Sequence, residues 1–349
     1  MTRPRSVGDL GEFPLIRRIV DRLPPLAPDV RVGPGDDVAA IDLGDGRWLV
    51  ATSDVQIAGV HFVREAADPH RIGRRSAAVN LSDVAAVGGR PTHFLVSLVL
   101  PEATEVAFVD ALYDGLVEEC VRYGVDVIGG NVSSGPVLAV DLTLLGEVRA
   151  GEMLRRDGAR IGDAVLVTGR LGAAAAGLEL ARRPDLRSVV SGTHAAEAEE
   201  AFETPSPRVR EGRAIVEAGG ATAAIDVSDG LAADLGHVCD RSGVGVHIDA
   251  GALPVPRSVR EIAAAAGLDP LDLALGGGED YELLLTAPPD RVGAIIEAVR
   301  RCGTPVTVIG AIVEAAAGRE VRLVPGGSRR LGRAGFRHFR GPTERDGSE

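Results

Sequence analysis

The chain has 349 residues, 45% hydrophobic and 25% charged, which is enough for two cores of ordinary domain size. A formal net charge of −12 argues against a nucleic-acid partner, because affinity for a phosphate backbone rests on cationic side chains releasing counterions, and aromatics at 3% offer few platforms for stacking bases. The chain contains no lysine, so all 38 Lys+Arg positions are arginine: a Walker A lysine, a protein-kinase lysine and a Schiff-base lysine are excluded, and any ATP chemistry must use divalent cations, arginine and backbone N–H groups.

In chain order, residues 47–51 and 93–100 are aliphatic or β-branched runs between polar or turn residues and read as strands. Between them, residues 71–87 carry a helical apolar pattern that Gly88-Gly89-Arg90-Pro91 stops. On that helix Asn80 and Asp83, three apart, share a face. A second helix over 102–123 leads to a strand at 125–128, the Gly129-Gly130-Asn131 segment and a strand at 137–148. The order β, α, β, α, β, β predicts an α+β domain over residues 1–150, and residues 149–160 read as a connector.

The second domain, 151–340, alternates: a strand at 163–168, helices at 172–181 and 207–218, a strand at 222–225, a helix at 231–241 and a strand at 245–248. A strand at 281–286, a helix at 290–301 and a strand at 306–309 follow, so a layered α/β domain is expected. Residues 183–200 are the least patterned interior stretch, and 341–349 read as a disordered tail. Cys120, Cys239 and Cys302 lie far apart without metal or disulfide spacing, no signal-like segment opens the chain, and no apolar run has membrane-spanning length. A soluble cytoplasmic protein is expected.

Five acidic signatures stand in small or glycine-bearing surroundings: Gly35-Asp36-Asp37, Ser53-Asp54, Asn80-Leu81-Ser82-Asp83, Asp226-Val227-Ser228-Asp229-Gly230 and Gly277-Gly278-Glu279-Asp280. Aspartate is a short, hard oxygen ligand, and Mg²⁺ sites combine one or two carboxylates per ion with water and phosphate oxygens, so this set points to several Mg²⁺ ions around phosphates. The competing reading of each motif alone is turn and helix-cap chemistry. Leu81-Ser82-Asp83-Val84-Ala85-Ala86 is faintly echoed by Val227-Ser228-Asp229-Gly230-Leu231-Ala232, too short a match to establish duplication.

Taken in order, Gly33 to Asp37, Thr52-Ser53-Asp54 followed by His61-Phe62, Ala78 to Asp83, Ile128-Gly129-Gly130, Ile225 to Gly230 and Gly276 to Leu283 resemble the thiamine-monophosphate kinase family, from Gly11-Glu12-Phe13 to Phe339. That family stands with aminoimidazole ribonucleotide synthetase, selenophosphate synthetase and a hydrogenase maturation protein. The resemblance implies a homodimer whose N-terminal sheets pair into a barrel, with ATP in a cleft between the N-terminal domains and the C-terminal domain and its phosphates bridged by Mg²⁺. It implies metal contacts by Asp37, Thr52, Ser53, Asp54, Asp83, Asn131, Asp226 and Asp229, with Asp36 supporting them. Tyr113, Gly130, Asn131, Arg156 and Ser228, again with Thr52 and Ser53, would meet the nucleotide, and His61, Glu279 and Phe336 would meet thiamine phosphate. Asp54, Asp83, Asp229 and Arg156 would serve transfer itself.

Two departures stand out. Asn131 occupies a place where many relatives have Asp, removing one negative charge from a metal there, and Arg333-Ala334-Gly335-Phe336-Arg337-His338-Phe339 replaces a pattern that often begins with tryptophan. The activity implied is ATP-dependent phosphorylation of thiamine monophosphate to the diphosphate by direct in-line transfer. Cys120 being the first cysteine disfavours a selenophosphate synthetase, and the cysteine-free C-terminus disfavours the hydrogenase maturation reaction. An aminoimidazole ribonucleotide synthetase-like enzyme and a non-catalytic nucleotide-binding regulator remain as alternatives. For His61 the competing reading is structural, and for Glu279-Asp280 it is a cap of the turn before the next strand.

Overall fold

The computed structural model describes residues 6–62, 67–332, 335, 336, 338 and 339. The tail expected at 341–349, and Arg333, Ala334 and Arg337 of the C-terminal motif, lie outside the described residues.

The first half opens with helices α1 (Val7–Leu10) and α2 (Glu12–Val20), then strands β1 (Val30–Val32), β2 (Ala39–Asp42) and β3 (Arg47–Ile57). Helix α3 (Pro69–Ala86), strand β4 (Arg90–Leu100), helix α4 (Val106–Tyr123) and strands β5 (Asp126–Ser134) and β6 (Ala139–Arg149) follow. Among the described residues these strands form a six-stranded sheet ordered β1-β2-β3-β6-β4-β5, with only the β4–β5 pair parallel. Strand β3 runs six residues beyond the expected 47–51, because Thr52-Ser53-Asp54 stays in register with Leu144, Thr143 and Leu142 of β6. The Gly129-Gly130-Asn131 segment, expected after a strand end, lies inside β5.

Helix α3 begins at Asp68, whose side chain accepts from the His70 N–H, with Pro69 in the first turn where its missing N–H costs nothing. It is buried along nearly its whole length, packing on α4, on β3 and on the second half of the chain. Gly73 and Gly115 permit the close crossing with α4: a methyl on Gly73 would sit 1.9 Å from the Leu112 carbonyl oxygen. The polar residues this burial entails are paired, Ser76 with the Ile72 carbonyl and Asn80 with that of Ser76.

The second half contains β7 (Ala164–Thr168), α5 (Ala173–Arg182), α6 (Gly192–Glu203), α7 (Val209–Ala218), β8 (Ala223–Asp226), α8 (Leu231–Ser242) and β9 (Gly245–Asp249). It continues with α9 (Arg257–Ala266), α10 (Pro270–Gly276), β10 (Leu283–Ala287), α11 (Pro289–Arg301), β11 (Val306–Val313), β12 (Arg319–Arg322) and β13 (Ser328–Arg330). The described residues give a seven-stranded sheet ordered β13-β12-β9-β11-β7-β10-β8, layered with helices and antiparallel except between β9 and β12. The whole is a two-domain α+β fold. One apolar cluster runs from Leu81, Val84 and Leu142 into Ile215, Leu283 and Leu285. Full burial of a side chain such as Leu81 contributes about 1.5–3 kcal/mol. No described helix is long and apolar enough to cross a membrane.

Candidate active site

Strand β3 alternates its side chains, so Thr52, Asp54 and Gln56 share one face, and that face meets helix α3. Thr52 Oγ1 donates to Asp83 Oδ2 at 2.5 Å, the Asp54 N–H donates to Asn80 Oδ1 at 3.1 Å, and Gln56 Oε1 accepts from Arg75 Nε at 3.1 Å. Ser53 lies on the opposite face, exposed, with its hydroxyl 3.3 Å from Asp141 Oδ1 and Thr143 Oγ1. Strand period thus separates Ser53 from its two neighbours.

Asp37, Asp83 and Asp226 each present a carboxylate oxygen within 4.8 Å of the others, although they come from a loop, a helix and a strand far apart in sequence. Ser82 Oγ donates to Asp226 Oδ2 at 2.6 Å, and Arg156 Nη2 donates to Asp37 Oδ1 at 2.6 Å. The Asp37 N–H donates to Asp36 Oδ1 at 3.0 Å, which places Asp36 directly behind the cluster. Desolvation pushes the Asp226 carboxyl up to about 7, aided by the Asp37 charge and opposed by Ser82 and Arg156. Asp83 is held well above the usual carboxylate range by burial and then by Asp54, Asp226 and Asp37, while Asp54 is raised chiefly by burial. Burial alone would lower the Arg156 pKa, but the adjoining Asp37 carboxylate outweighs it.

Asp37 Oδ2 is buried with no hydrogen-bond partner among the described residues. An orphaned carboxylate oxygen beside two further carboxylates, all hard oxygen donors, fits a divalent cation such as Mg²⁺. Asp229 stands in a second group, with Asp234 and His237, whose ligand atoms also lie within 4.8 Å of one another.

Other expected residues gather nearby. His61 Nδ1 accepts the Ile57 N–H at 3.0 Å, its ring lies 5.4 Å from His338, and His338 lies 5.0 Å from Phe336. Burial lowers the His61 pKa to about 4, helped by the charges of His338 and Arg75. Phe336 is brought in by the Asp229 carbonyl, which accepts its N–H at 3.1 Å, and by α2, where Glu12 Oε2 accepts the His338 N–H at 2.8 Å. Glu279 is ion-paired with Arg75, and its N–H donates to the Ser228 carbonyl at 2.7 Å. His61 and Arg75 line a cavity of about 370 Å³ with Phe62, Ile72, Leu178 and Phe202.

Gly130 and Asn131 are not brought to the aspartates within one chain. Asn131 pairs with Ser97, Ser97 with Asp141 and Asp141 with Val55, so three strand spacings, about 14 Å, separate Asn131 from β3. It is exposed and bonded to Ser133. Tyr113 packs partly buried against the core from α4. Arg75 and Asp234 carry no signal in the sequence, while Asn80 and Ser82 stand in the 80–83 signature but take their partners, the Asp54 N–H and Asp226, only in the fold. Arg71 and Arg74 stand beside Arg75 on the same helix, and nothing in the sequence marks Arg75 as the one that is buried.

These two sheets and this carboxylate cluster define an AIR synthase related protein: the model of that family's N-terminal domain matches residues 35–148 and that of its C-terminal domain residues 160–321. The thiamine-monophosphate kinase of Salmonella typhimurium is 38% identical over 300 residues, covering 86% of this chain and 90% of that protein. The thiamine-monophosphate kinase of Mycobacterium tuberculosis is 38% identical over 286 residues, covering 81% and 82%. The solved structure "AaThiL complexed with AMPPCP and TMP" superimposes with a TM-score of 0.82 at 33% identity, covering 97% of this chain and 100% of that one. The chain belongs to the thiamine-monophosphate kinase family, and is thus a phosphotransferase.

Proposed function

We propose that this chain transfers the γ-phosphoryl group of ATP to the phosphate of thiamine monophosphate, directly and in line, giving thiamine diphosphate. The observation that carries this reading is the convergence of Asp37, Asp83 and Asp226 with an orphaned buried oxygen, in a protein without lysine. Two anions must be held end to end, and phosphoryl transfer depends on placement and charge neutralisation rather than on covalent help. A phosphate monoester with a second pKa near 6 is already anionic at neutral pH and needs little general-base assistance.

Mg²⁺ held by Asp37, Asp54, Asp83, Asp226 and Asp229, with oxygens of Thr52 and Ser228, would supply that neutralisation, while Ser53, whose hydroxyl lies on the opposite face of β3, and Asn131 would join only at a site shared with a partner subunit. Thr52 fixes the Asp83 carboxylate and Ser82 that of Asp226, so the cage is oriented before any ligand arrives. Arg156, already paired with Asp37, is the cation available to ATP phosphates. His61, whose pKa is about 4, is neutral at pH 7; with Nδ1 accepting from Ile57 it carries its proton on Nε2, ready to donate to thiamine phosphate. Glu279 and Phe336 would meet the organic end of the substrate: Glu279 is ion-paired with Arg75, which lines the cavity beside His61, and Phe336 reaches His61 through the His338 ring between them.

Strand β5 is exposed along its whole length and forms a sheet edge, with Ile128 54% and Val132 68% exposed. An uncovered edge of this kind supports a homodimer in which the N-terminal sheets pair into a barrel, carrying Gly130, Asn131 and Tyr113 toward the partner's nucleotide. We place the division between the two functional halves at residue 150, and the free thiols of Cys120, Cys239 and Cys302 fit a reducing cytoplasm. The test is incubation of purified protein with ATP, Mg²⁺ and thiamine monophosphate. Formation of thiamine diphosphate and ADP in equal amounts is expected; ATP binding without product would reject the reading.

A further inference from the structure

The 277–281 turn is locked through its backbone. The Glu279 N–H reaches the Ser228 carbonyl at 2.7 Å, the Tyr281 N–H reaches that of Val227 at 2.9 Å, and the Asp280 carboxyl takes the Gly172 N–H at 2.7 Å. Within that turn Glu279 has φ of 62° and Tyr281 48°, left-handed values that a residue with a Cβ adopts only against steric resistance. Side chains held at such a price cluster at working sites. What fixes the carboxylate itself comes from the other half of the molecule.

Arg75 on α3 is 3% exposed at its side chain, and each guanidinium nitrogen is engaged. Nε donates to Gln56 Oε1 on β3 at 3.1 Å, Nη1 to the Phe202 carbonyl on α6, and Nη2 to Glu279 Oε1, while the guanidinium lies 4.9 Å over the Phe202 ring. This fork, fixed at three corners, anchors Glu279 Oε1 at one place. Along the same helix Asp83 follows eight residues later, about 12 Å away. One buried helix therefore sets both the metal cluster and the Glu279 carboxylate.

The geometry points to Arg75 as a positioning residue that orients Glu279 toward the substrate's organic end and so determines recognition of the acceptor rather than of ATP. This rests on the proposed kinase reaction and on Glu279 contacting thiamine monophosphate. Arg75 occupies one carboxylate oxygen, and the other, without a hydrogen bond to any described residue, is left for an N–H donor or cationic ring of the acceptor. A merely structural ion pair would share the burial but would not separate the two substrates.

The test combines steady-state kinetics and crystal structures of the full-length protein with Arg75→Gln, Arg75→Lys, Glu279→Gln and the double variant Arg75→Gln/Glu279→Gln. Expected is a KM for thiamine monophosphate raised about tenfold to a hundredfold in Arg75→Gln, with the KM for ATP unchanged, partial recovery in Arg75→Lys, and a double variant no worse than Glu279→Gln alone. The crystal structure of Arg75→Gln should show the Glu279 carboxylate displaced. Losses that multiply in the double variant, equal rises in both KM values, or a Glu279 that stays in place overturn the assignment. Should Arg75→Gln fail to fold, Arg75→Lys against Glu279→Gln decides it by the same KM ratio. If the unaltered protein makes no thiamine diphosphate, the kinase reading falls, while the crystal comparison still decides whether Arg75 fixes Glu279.

Discussion

Ser82 donates a 2.6 Å hydrogen bond to Asp226 across 144 residues of sequence, both residues buried, one on α3 and the other at the end of β8. This contact ties the two halves together at the carboxylate cluster. Replacing Ser82 by Ala removes a donor that favours the ionised Asp226, at a cost of about 1–3 kcal/mol in urea denaturation. Asp226 should then ionise at still higher pH, so the acid limb of the kcat/KM profile moves up and more Mg²⁺ is required at pH 7. An unaltered Mg²⁺ requirement would contradict the role given to this bond.

Asp83 lies among three other carboxylates and is raised by each of them after burial. Asp83→Asn should therefore leave the metal-free protein as stable as before or more so, while turnover falls on the order of 10³-fold or more through loss of several kcal/mol of charge stabilisation. Asp54→Asn should behave alike. Thermal melting with and without Mg²⁺, measured beside activity, checks both; a normal rate at limiting Mg²⁺ would remove these residues from the cage.

Cation binding must compete with protons on the same carboxylates. With Asp226 at about 7 and Asp83 also raised, Mg²⁺ should displace protons near neutrality and stabilise the fold more at pH 8.5 than at pH 5.5. Saturation at a hundred times Kd corresponds to about 2.7 kcal/mol at the higher pH. Melting shifts of equal size at both pH values would refute this linkage.

Asp280 gives a separate pH signature. Desolvation raises its carboxyl from 3.8 to about 7, against the hydrogen bonds from Gly172 and Ala174. Because the folded state holds this proton more tightly than the unfolded chain, its contribution is fully present below about pH 4, is lost as pH rises to about 7 and is constant above. The span is on the order of 4 kcal/mol. Asp280→Asn keeps an acceptor for the helix N-terminus and should flatten that slope in denaturation midpoints measured from pH 4 to 8.

Gly130 sits in β5 with φ of 155°, and a methyl there would lie 1.8 Å from the Val96 carbonyl oxygen. Gly130→Ala should force the β4–β5 pair apart and lower stability by about 1–3 kcal/mol. It should also weaken self-association through that edge, read by sedimentation. A stable variant with unchanged association would show that the strand pair yields without consequence.

Some of this was legible in the chain, and the difference has physical reasons. Helices such as α4 and α8 announce themselves by their apolar periodicity and terminal glycines, whereas α6 lies in the stretch that looked least patterned. Its buried positions, Ala195 and Ala198, are too weakly apolar to mark a stripe against its glutamates. Strand β3 outruns the apolar run at 47–51 because the polar Thr52-Ser53-Asp54 carries no strand signal of its own until β6 pairs with it.

The sequence by itself determined the chemistry: acidic motifs rich in aspartate, no lysine, glycines where backbone must come close, and an order of motifs that marks a family. Those are properties of residue type and local spacing, which a chain carries unfolded. Only the tertiary structure decided which of them meet. Asp37, Asp83 and Asp226 converge while Asn131 lies three strands from β3; Ser53 turns from the face that Thr52 and Asp54 share; Arg75 reaches Glu279 across 204 residues. Such meetings depend on strand register, helix crossing and burial, which exist only when the whole chain has packed.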